Sequence, residues 1–330
     1  MRTLSLCAAL ASLGLASAWN CYRICFYSPP KGRATPYDPM LGPQYESVQD
    51  TLFQVIRIME QYPFDDIGIT APDGIPLRGR YYHLRDGAPL MILCHGYRSN
   101  ALRDCCGGHA VARNLGFNAL VIHQRAHGDS GGNTITFGIR ERWDLHSWIR
   151  WANRRFGDHT PVLLYGLSMG AATVLMGCEL GYPANVAGII ADSPYSSPGD
   201  IIRKVCRDAR YPGLVYPFID AGARIFGGFR LDACTAADAV AKSEVPVLLI
   251  HGEDDRLVPC SMSRGMAERN PGRVRLCTVP GAGHGLSFLT DPGTCEKAVM
   301  DFIRSIPVLD CHLQERKISE KFATDSFTER

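Results

Sequence analysis

Short unbroken apolar runs recur along the chain, at Leu90–Cys94, Ala119–Ile122, Val162–Tyr165, Val186–Ala191, Val245–Ile250 and Val274–Val279. Helix-like segments lie between most of them, at Asp104–Leu115, Arg140–Phe156, Met169–Leu180 and Ser261–Arg269, and a last one follows at Thr294–Ile306. Runs this apolar suit strands covered on both faces. Their alternation with helices predicts an α/β fold with a mostly parallel, doubly wound sheet. Upstream, Ile67–Thr70 and Ile75–His83 flank Pro72-Asp73-Gly74 and predict an antiparallel hairpin. Val48, Leu52, Val55, Ile56 and Met59 put one apolar face on a helix over Glu46–Gln61. In such sheets ligands bind beyond the carboxyl ends of the strands, which is where chemistry is to be sought.

Two stretches break this rhythm. Tyr195–Glu244 is longer than one crossover helix requires and holds Pro198, Pro212 and Pro217 with Tyr211, Tyr216, Phe218, Phe226 and Phe229. It predicts a small helical lid over the strand ends, with those aromatics near the site; the alternative is an elaborated crossover packed to one side. At the other end, Leu4–Trp19 carries no charge and is followed by Arg23, Lys31 and Arg33. As a helix it spans about 24 Å, against the roughly 30 Å of a bilayer core. The basic residues after it predict a membrane anchor that keeps the rest of the chain in the cytoplasm. A signal cleaved after Ala18 and a packed helix are the alternatives. The division expected is thus an apolar segment (1–27), a connector and helix (28–63), a core (64–194 with 245–306), a lid insertion (195–244) and a charged tail (307–330).

Composition fits one α/β domain with extensions: 330 residues, 46% hydrophobic and 21% charged, with a formal net charge of +2. The basic residues are spread out, so no nucleic-acid footprint is expected. Thirteen cysteines form no regular framework, which points to a reducing compartment. Cys105-Cys106 with His109 has no second cluster at zinc spacing, and Gly128, Gly131 and Gly132 lack a P-loop lysine or dinucleotide spacing. Neither a metal nor a cofactor is expected.

The chemistry concentrates at Gly166-Leu167-Ser168-Met169-Gly170, between a predicted strand and a predicted helix. That is the context of a nucleophile elbow: Gly166 and Gly170 permit the tight turn, and Ser168 sits at a helix N-terminus. A serine needs a base, and the base an orienting acid. Glu253, Asp254 and Asp255 end one strand, and Asp192 ends another, though its expected role is to bond loop backbone. His284, among glycines after the last strand, is the candidate base. For the oxyanion, the backbone N–H of Met169 and one from His95-Gly96-Tyr97, expected at Tyr97, are the candidate donors.

These motifs resemble the serine-aminopeptidase-like group of α/β hydrolases, near its bacterial members with a short lid and an N-terminal apolar segment. The likeness runs from about Phe64 to Ile306. It rests on Asp73-Gly74, His95-Gly96-Tyr97, Arg125 to Gly132, the Ser168 elbow, Asp192-Ser193-Pro194, His251-Gly252-x-x-Asp255-x-x-Val258-Pro259 and Gly283-His284. It implies the α/β-hydrolase fold and Asp255, rather than Asp254, as the acid. His123-Gln124-Arg125-Ala126 departs from the Asp-Arg-Gly type sequence that relatives often carry. The activity expected is hydrolysis of a carboxylic ester, through Ser168, His284 and Asp255 and an acyl-enzyme. An aminopeptidase or amidase acting on short peptides, and a thioesterase or acyltransferase, are the alternatives. A non-catalytic binding protein is disfavoured, because every part of the machinery is present.

Overall fold

The computed structural model, which describes residues 2–40 and 42–314 with side chains from residue 11, turns the apolar runs into one eight-stranded sheet. In chain order its elements begin α1 (Arg2–Cys25), α2 (Pro43–Glu46), α3 (Gln49–Glu60), β1 (Asp65–Thr70), β2 (Pro76–Tyr82), β3 (Leu90–Cys94), α4 (Ala101–Leu115), β4 (Asn118–His123), α5 (Glu141–Phe156), β5 (Val162–Leu167) and α6 (Met169–Met176). They continue β6 (Val186–Asp192), α7 (Pro198–Asp208), α8 (Val215–Ile225), α9 (Ala236–Ala241), β7 (Val247–Gly252), α10 (Cys260–Arg269), β8 (Val274–Val279), α11 (Ser287–Thr290) and α12 (Pro292–Arg304). A further helical segment covers 307–314, and the rest of the expected tail lies outside the described residues.

The sheet order is β1-β2-β4-β3-β5-β6-β7-β8, antiparallel in the first two pairings and parallel in the others. Successive residues of a strand feed opposite layers, as the pleat requires. Leu90, Ile92, Val162 and Leu164 join the layer made with α5, α6 and α9, while Met91, Leu93, Leu163 and Tyr165 join that made with α3, α4 and α12. Burial on both faces is why these strands read as continuous apolar runs. The chain leaves β3 for β4 on one side and returns to β5 on the other, so the strand order reverses there. The loops after β3 and β5 consequently emerge side by side, with Cys94 paired to Gly166, at the switch point where such sheets bind ligands.

Two expectations need correction. The membrane anchor expected within residues 1–27 is not supported: among the described residues no helix is long and apolar enough to cross a membrane. Met1 lies outside the described residues. The later half of α1 packs on α8 instead, burying Ala18 and Tyr22. The helices cross so closely that a Cβ at Gly222 would sit 2.5 Å from the Ala18 carbonyl oxygen. Ser12, Ala16, Asn20 and Arg23, spaced along another face of the helix, are exposed. The second concerns the aromatics of 195–244, none of which reaches the cavity at Ser168; Phe226 and Phe229 turn toward α1 and the residue that follows it. Phe226 meets Trp19 edge-on at 4.9 Å, and Phe229 meets Phe26 at 5.2 Å.

Candidate active site

Ser168 occupies the turn from β5 into α6 with φ 55° and ψ −113°, a left-handed backbone that a non-glycine residue adopts only under constraint. The constraint is visible. Its N–H donates to the Asp192 carbonyl at 2.8 Å, and its own carbonyl accepts the Ala172 N–H at 3.0 Å. Cβ atoms at Gly166 and Gly170 would overlap the backbone of Gly170 and Ala171, and of Cys94 and His95, respectively. The flanking glycines are therefore a packing requirement of the elbow.

Ser168 and His284 come from loops 116 residues apart in sequence, yet Ser168 Oγ lies 2.9 Å from His284 Nε2. On the far side of the ring, His284 Nδ1 lies 2.6 Å from Asp255 Oδ2. Since Nδ1 donates to the carboxylate, Nε2 is left to accept the serine proton. Asp255 is buried, and its Oδ1 accepts the N–H groups of Leu257 at 2.9 Å and Val258 at 2.8 Å. Burial by itself would raise this carboxyl; hydrogen bonds from His251 and His284 hold it below the usual carboxylate range. His251 is fully buried, with Nε2 donating to the Val258 carbonyl at 2.9 Å and lying 3.3 Å from Asp255 Oδ2. The Val258 carbonyl can only accept, which fixes the proton on Nε2, and the Ser263 hydroxyl donates to Nδ1 at 2.7 Å. The neighbouring acids, Glu253 and Asp254, are exposed. Asp192 is buried beside this relay, accepts the Ser193 hydroxyl at 3.0 Å, and is pushed up to about 6 by burial.

The loop after β3 runs beside Ser168: a Cβ at Gly96 would stand 3.4 Å from Ser168 Cβ. That places the Gly96–Tyr97 peptide at the serine, while Met169 opens α6, buried. Two buried imidazoles hold this loop. His95 accepts the Gln124 N–H at 3.1 Å, and His127 accepts the Arg98 N–H at 2.9 Å through Nε2. Burial lowers the pKa of both rings and keeps them neutral, so the accepting lone pair is available. Gly96 N–H donates to Asp104 Oδ2 at 2.7 Å.

A cavity of about 530 Å³ opens at Ser168 and His284, within the range of small-molecule sites. Its apolar wall includes Met40, Leu52, Val55, Leu257, Leu286 and Phe288. None of Tyr211, Tyr216, Phe218, Phe226 and Phe229 lines it. Residues from the connector do: Ala34, Asp38, Pro39, Met40 and Tyr45. Tyr45 donates its hydroxyl to the His284 carbonyl at 3.2 Å. Among the described residues no group of three His, Cys, Asp or Glu side chains is placed to hold a metal ion.

The sequence profile of the alpha/beta hydrolase family matches residues 91–298, more than half of the chain. The chain belongs to that family. This hydrolase is 27% identical to the uncharacterized protein YqkD of Bacillus subtilis, over 77% of its own length and 84% of that protein's. It is 28% identical to the lysophosphatidylserine lipase ABHD12 of Danio rerio, over 47% of its own length and 40% of the lipase's. Its fold is that of the esterase Pf2001 of Pyrococcus furiosus, with a TM-score of 0.63 at 23% identity, covering 85% of this hydrolase and 98% of the esterase.

Ser168, His284 and Asp255, the candidates the sequence offers, lie in one hydrogen-bonded line. His251 and His127 lie within the sequence motifs, but nothing local marks either as a partner of the acid or of the Arg98 N–H. Tyr45 carries no local signal at all: its role exists only because the connector crosses the histidine loop.

Proposed function

We propose that this hydrolase cleaves carboxylic esters through a Ser168–His284–Asp255 triad and an acyl-enzyme, near the serine-aminopeptidase-like group in motif but esterase in substrate. The carrying observation is the 2.9 Å and 2.6 Å hydrogen-bonded line from Ser168 through His284 to Asp255, opening onto a mainly apolar cavity. Ser168 Oγ attacks the ester carbonyl as His284 Nε2 takes its proton. The backbone N–H groups of Tyr97 and Met169 stabilise the oxyanion. The carbon–oxygen bond then breaks, and the imidazolium returns its proton to the departing alcohol. Water, deprotonated by His284, releases the acid and restores the serine.

The ester reading over the aminopeptidase one rests on the cavity's carboxylates. A free amino terminus wants an unengaged carboxylate. Asp38 bonds the Thr35 hydroxyl and N–H, Asp104 bonds Ser99 and the Gly96 N–H, and Asp192 is buried and accepts the Ser193 hydroxyl. The relatives described as an esterase and as a lysophosphatidylserine lipase support the same reading. The test is kcat/KM for aryl esters, aryl thioesters and aminoacyl arylamides on the full chain and on Ser168→Ala, with fluorophosphonate labelling. Esters are expected to be fastest, and Ser168→Ala to lose about 10⁴-fold or more with its label. A faster aminoacyl amide overturns the substrate class; a labelled or active Ser168→Ala overturns the nucleophile.

A further inference from the structure

The family profile begins at Met91, yet both loops that carry the candidate machinery are tied to chain that precedes it. On one side stands the end of α1. A helix leaves its last carbonyls without intrahelical partners, and here side chains of the loop after β3 satisfy them. The Tyr97 hydroxyl donates to the Cys25 carbonyl at 2.7 Å. The Arg98 guanidinium donates to the carbonyls of Ile24 at 2.8 Å and Tyr27 at 3.0 Å. Arg98 is itself held at φ 50°, a left-handed conformation, with its N–H on His127. Burial pushes the Tyr97 phenol up to about 12, so it stays a donor.

The other side is the connector. Tyr45 reaches the His284 carbonyl at 3.2 Å, and a Cβ at Gly283 would overlap Gln44. Between these two ends the strand of chain is fastened repeatedly to the core. Ser28 N–H donates to the Asn133 carbonyl at 2.8 Å, Arg33 donates to the carbonyls of Gly128, Ser130 and Gly132, and the Ala34 carbonyl accepts Asn100 at 3.0 Å. The described chain from Ile24 to Met40 and from Gly42 to Tyr45 is therefore a strap fastened to the core, and its two ends land on the two loops.

We propose that this strap is part of the catalytic centre: its α1 end positions the oxyanion donor at Tyr97, its Tyr45 end positions the base, and Tyr97, Arg98 and Tyr45 are positioning residues for both. The proposal rests on the triad reading above. An oxyanion donor contributes about 10²–10³-fold to turnover, and a displacement of about 1 Å in a catalytic group costs about 10²-fold. Slackening a donor's tether without deleting it should fall below those limits.

The experiment compares Tyr97→Phe, Arg98→Ala, their double variant and Tyr45→Phe in the full chain, each verified as folded by circular dichroism and melting. Tyr97→Phe keeps the ring that lies 4.8 Å from Phe137 and removes only the bond to Cys25. The double variant is expected to lose about 10- to 100-fold in kcat with KM within about two-fold. Its affinity for an alkyl trifluoromethyl ketone, whose serine adduct puts an oxyanion in the hole, should fall by the same factor as kcat/KM. Tyr45→Phe should lower kcat with KM unchanged. A merely structural role would lower melting temperature and leave the ketone affinity of the folded fraction intact. Unchanged kcat and ketone affinity in the double variant, with Ser168→Ala inactive, overturns the strap alone. An active Ser168→Ala overturns the triad reading beneath it.

Discussion

Replacing Asp255 by asparagine tests the relay at the atom where its logic is tightest. Oδ1 of Asp255 accepts two backbone N–H groups, from Leu257 and Val258, and Oδ2 faces His284 Nδ1 at 2.6 Å and His251 Nε2 at 3.3 Å. In Asp255→Asn the amide oxygen must stay where the two N–H donors are. The NH₂ group therefore takes the place of Oδ2 and points its hydrogens at two imidazole nitrogens. His284 relieves the clash of donors by carrying its proton on Nε2. In that tautomer it cannot accept a proton from Ser168, although nothing has moved. The expected loss in kcat is about 10⁴-fold, equivalent to roughly 5.5 kcal/mol of barrier. The fold should survive, because the two backbone bonds remain. Initial rates of aryl ester hydrolysis, normalised to folded protein, measure the effect. Asp254→Asn, whose side chain is exposed, should stay within about two-fold of the parent chain by the small effect of surface changes. A folded Asp255→Asn within ten-fold of the parent would refute the reasoning, and a large loss at Asp254 instead would move the acid by one residue.

Gly170→Ala should cut kcat/KM by about 10²-fold or more and lower the melting temperature, because its Cβ would meet the backbone carbonyls of Cys94 and His95 rather than a yielding side chain. Gly265→Ala, in α10 with nothing within 4 Å, should instead be neutral or stabilising by up to about 1 kcal/mol. Aryl esters of increasing acyl length should gain roughly four-fold in kcat/KM per methylene until the 530 Å³ cavity is full; a flat series would contradict the apolar wall. Stability should fall as pH drops from about 6.5 toward 4. Burial lowers His109 and His123 to about 4, so the unfolded chain binds more protons throughout that window. Each ring accounts for on the order of 3 kcal/mol, fully present above pH 6.5. Asp144 and Asp192, both raised to about 6 by burial, act in the opposite sense below that pH. Melting temperatures at pH 7 and pH 5 decide the net sign, and a higher value at pH 5 would refute the dominance of the histidines.

The α/β architecture was legible in the sequence because its determinants are local or periodic. Strands buried on both faces read as continuous apolar runs, and helices between them show one apolar face. The elbow was legible for a similar reason, since overlap at Gly166 and Gly170 is settled within five residues of chain plus one neighbouring strand. Glu253, Asp254 and Asp255, by contrast, are equal as a string of acids. Only the turn after β7 aims one of them inward, by offering it two backbone N–H groups. The aromatics of 195–244 looked free to roof a pocket because no local pattern says what will cover them. In the structure α8 meets α1, about two hundred residues earlier in the chain, and Phe226 and Phe229 find Trp19 and Phe26 there. The place so vacated at the cavity is taken by the connector, whose Met40 and Tyr45 no motif announces. Which surfaces meet across two hundred residues depends on what each leaves unsatisfied after local folding, the orphan carbonyls at the end of α1 included, and that is settled only when the whole chain is packed.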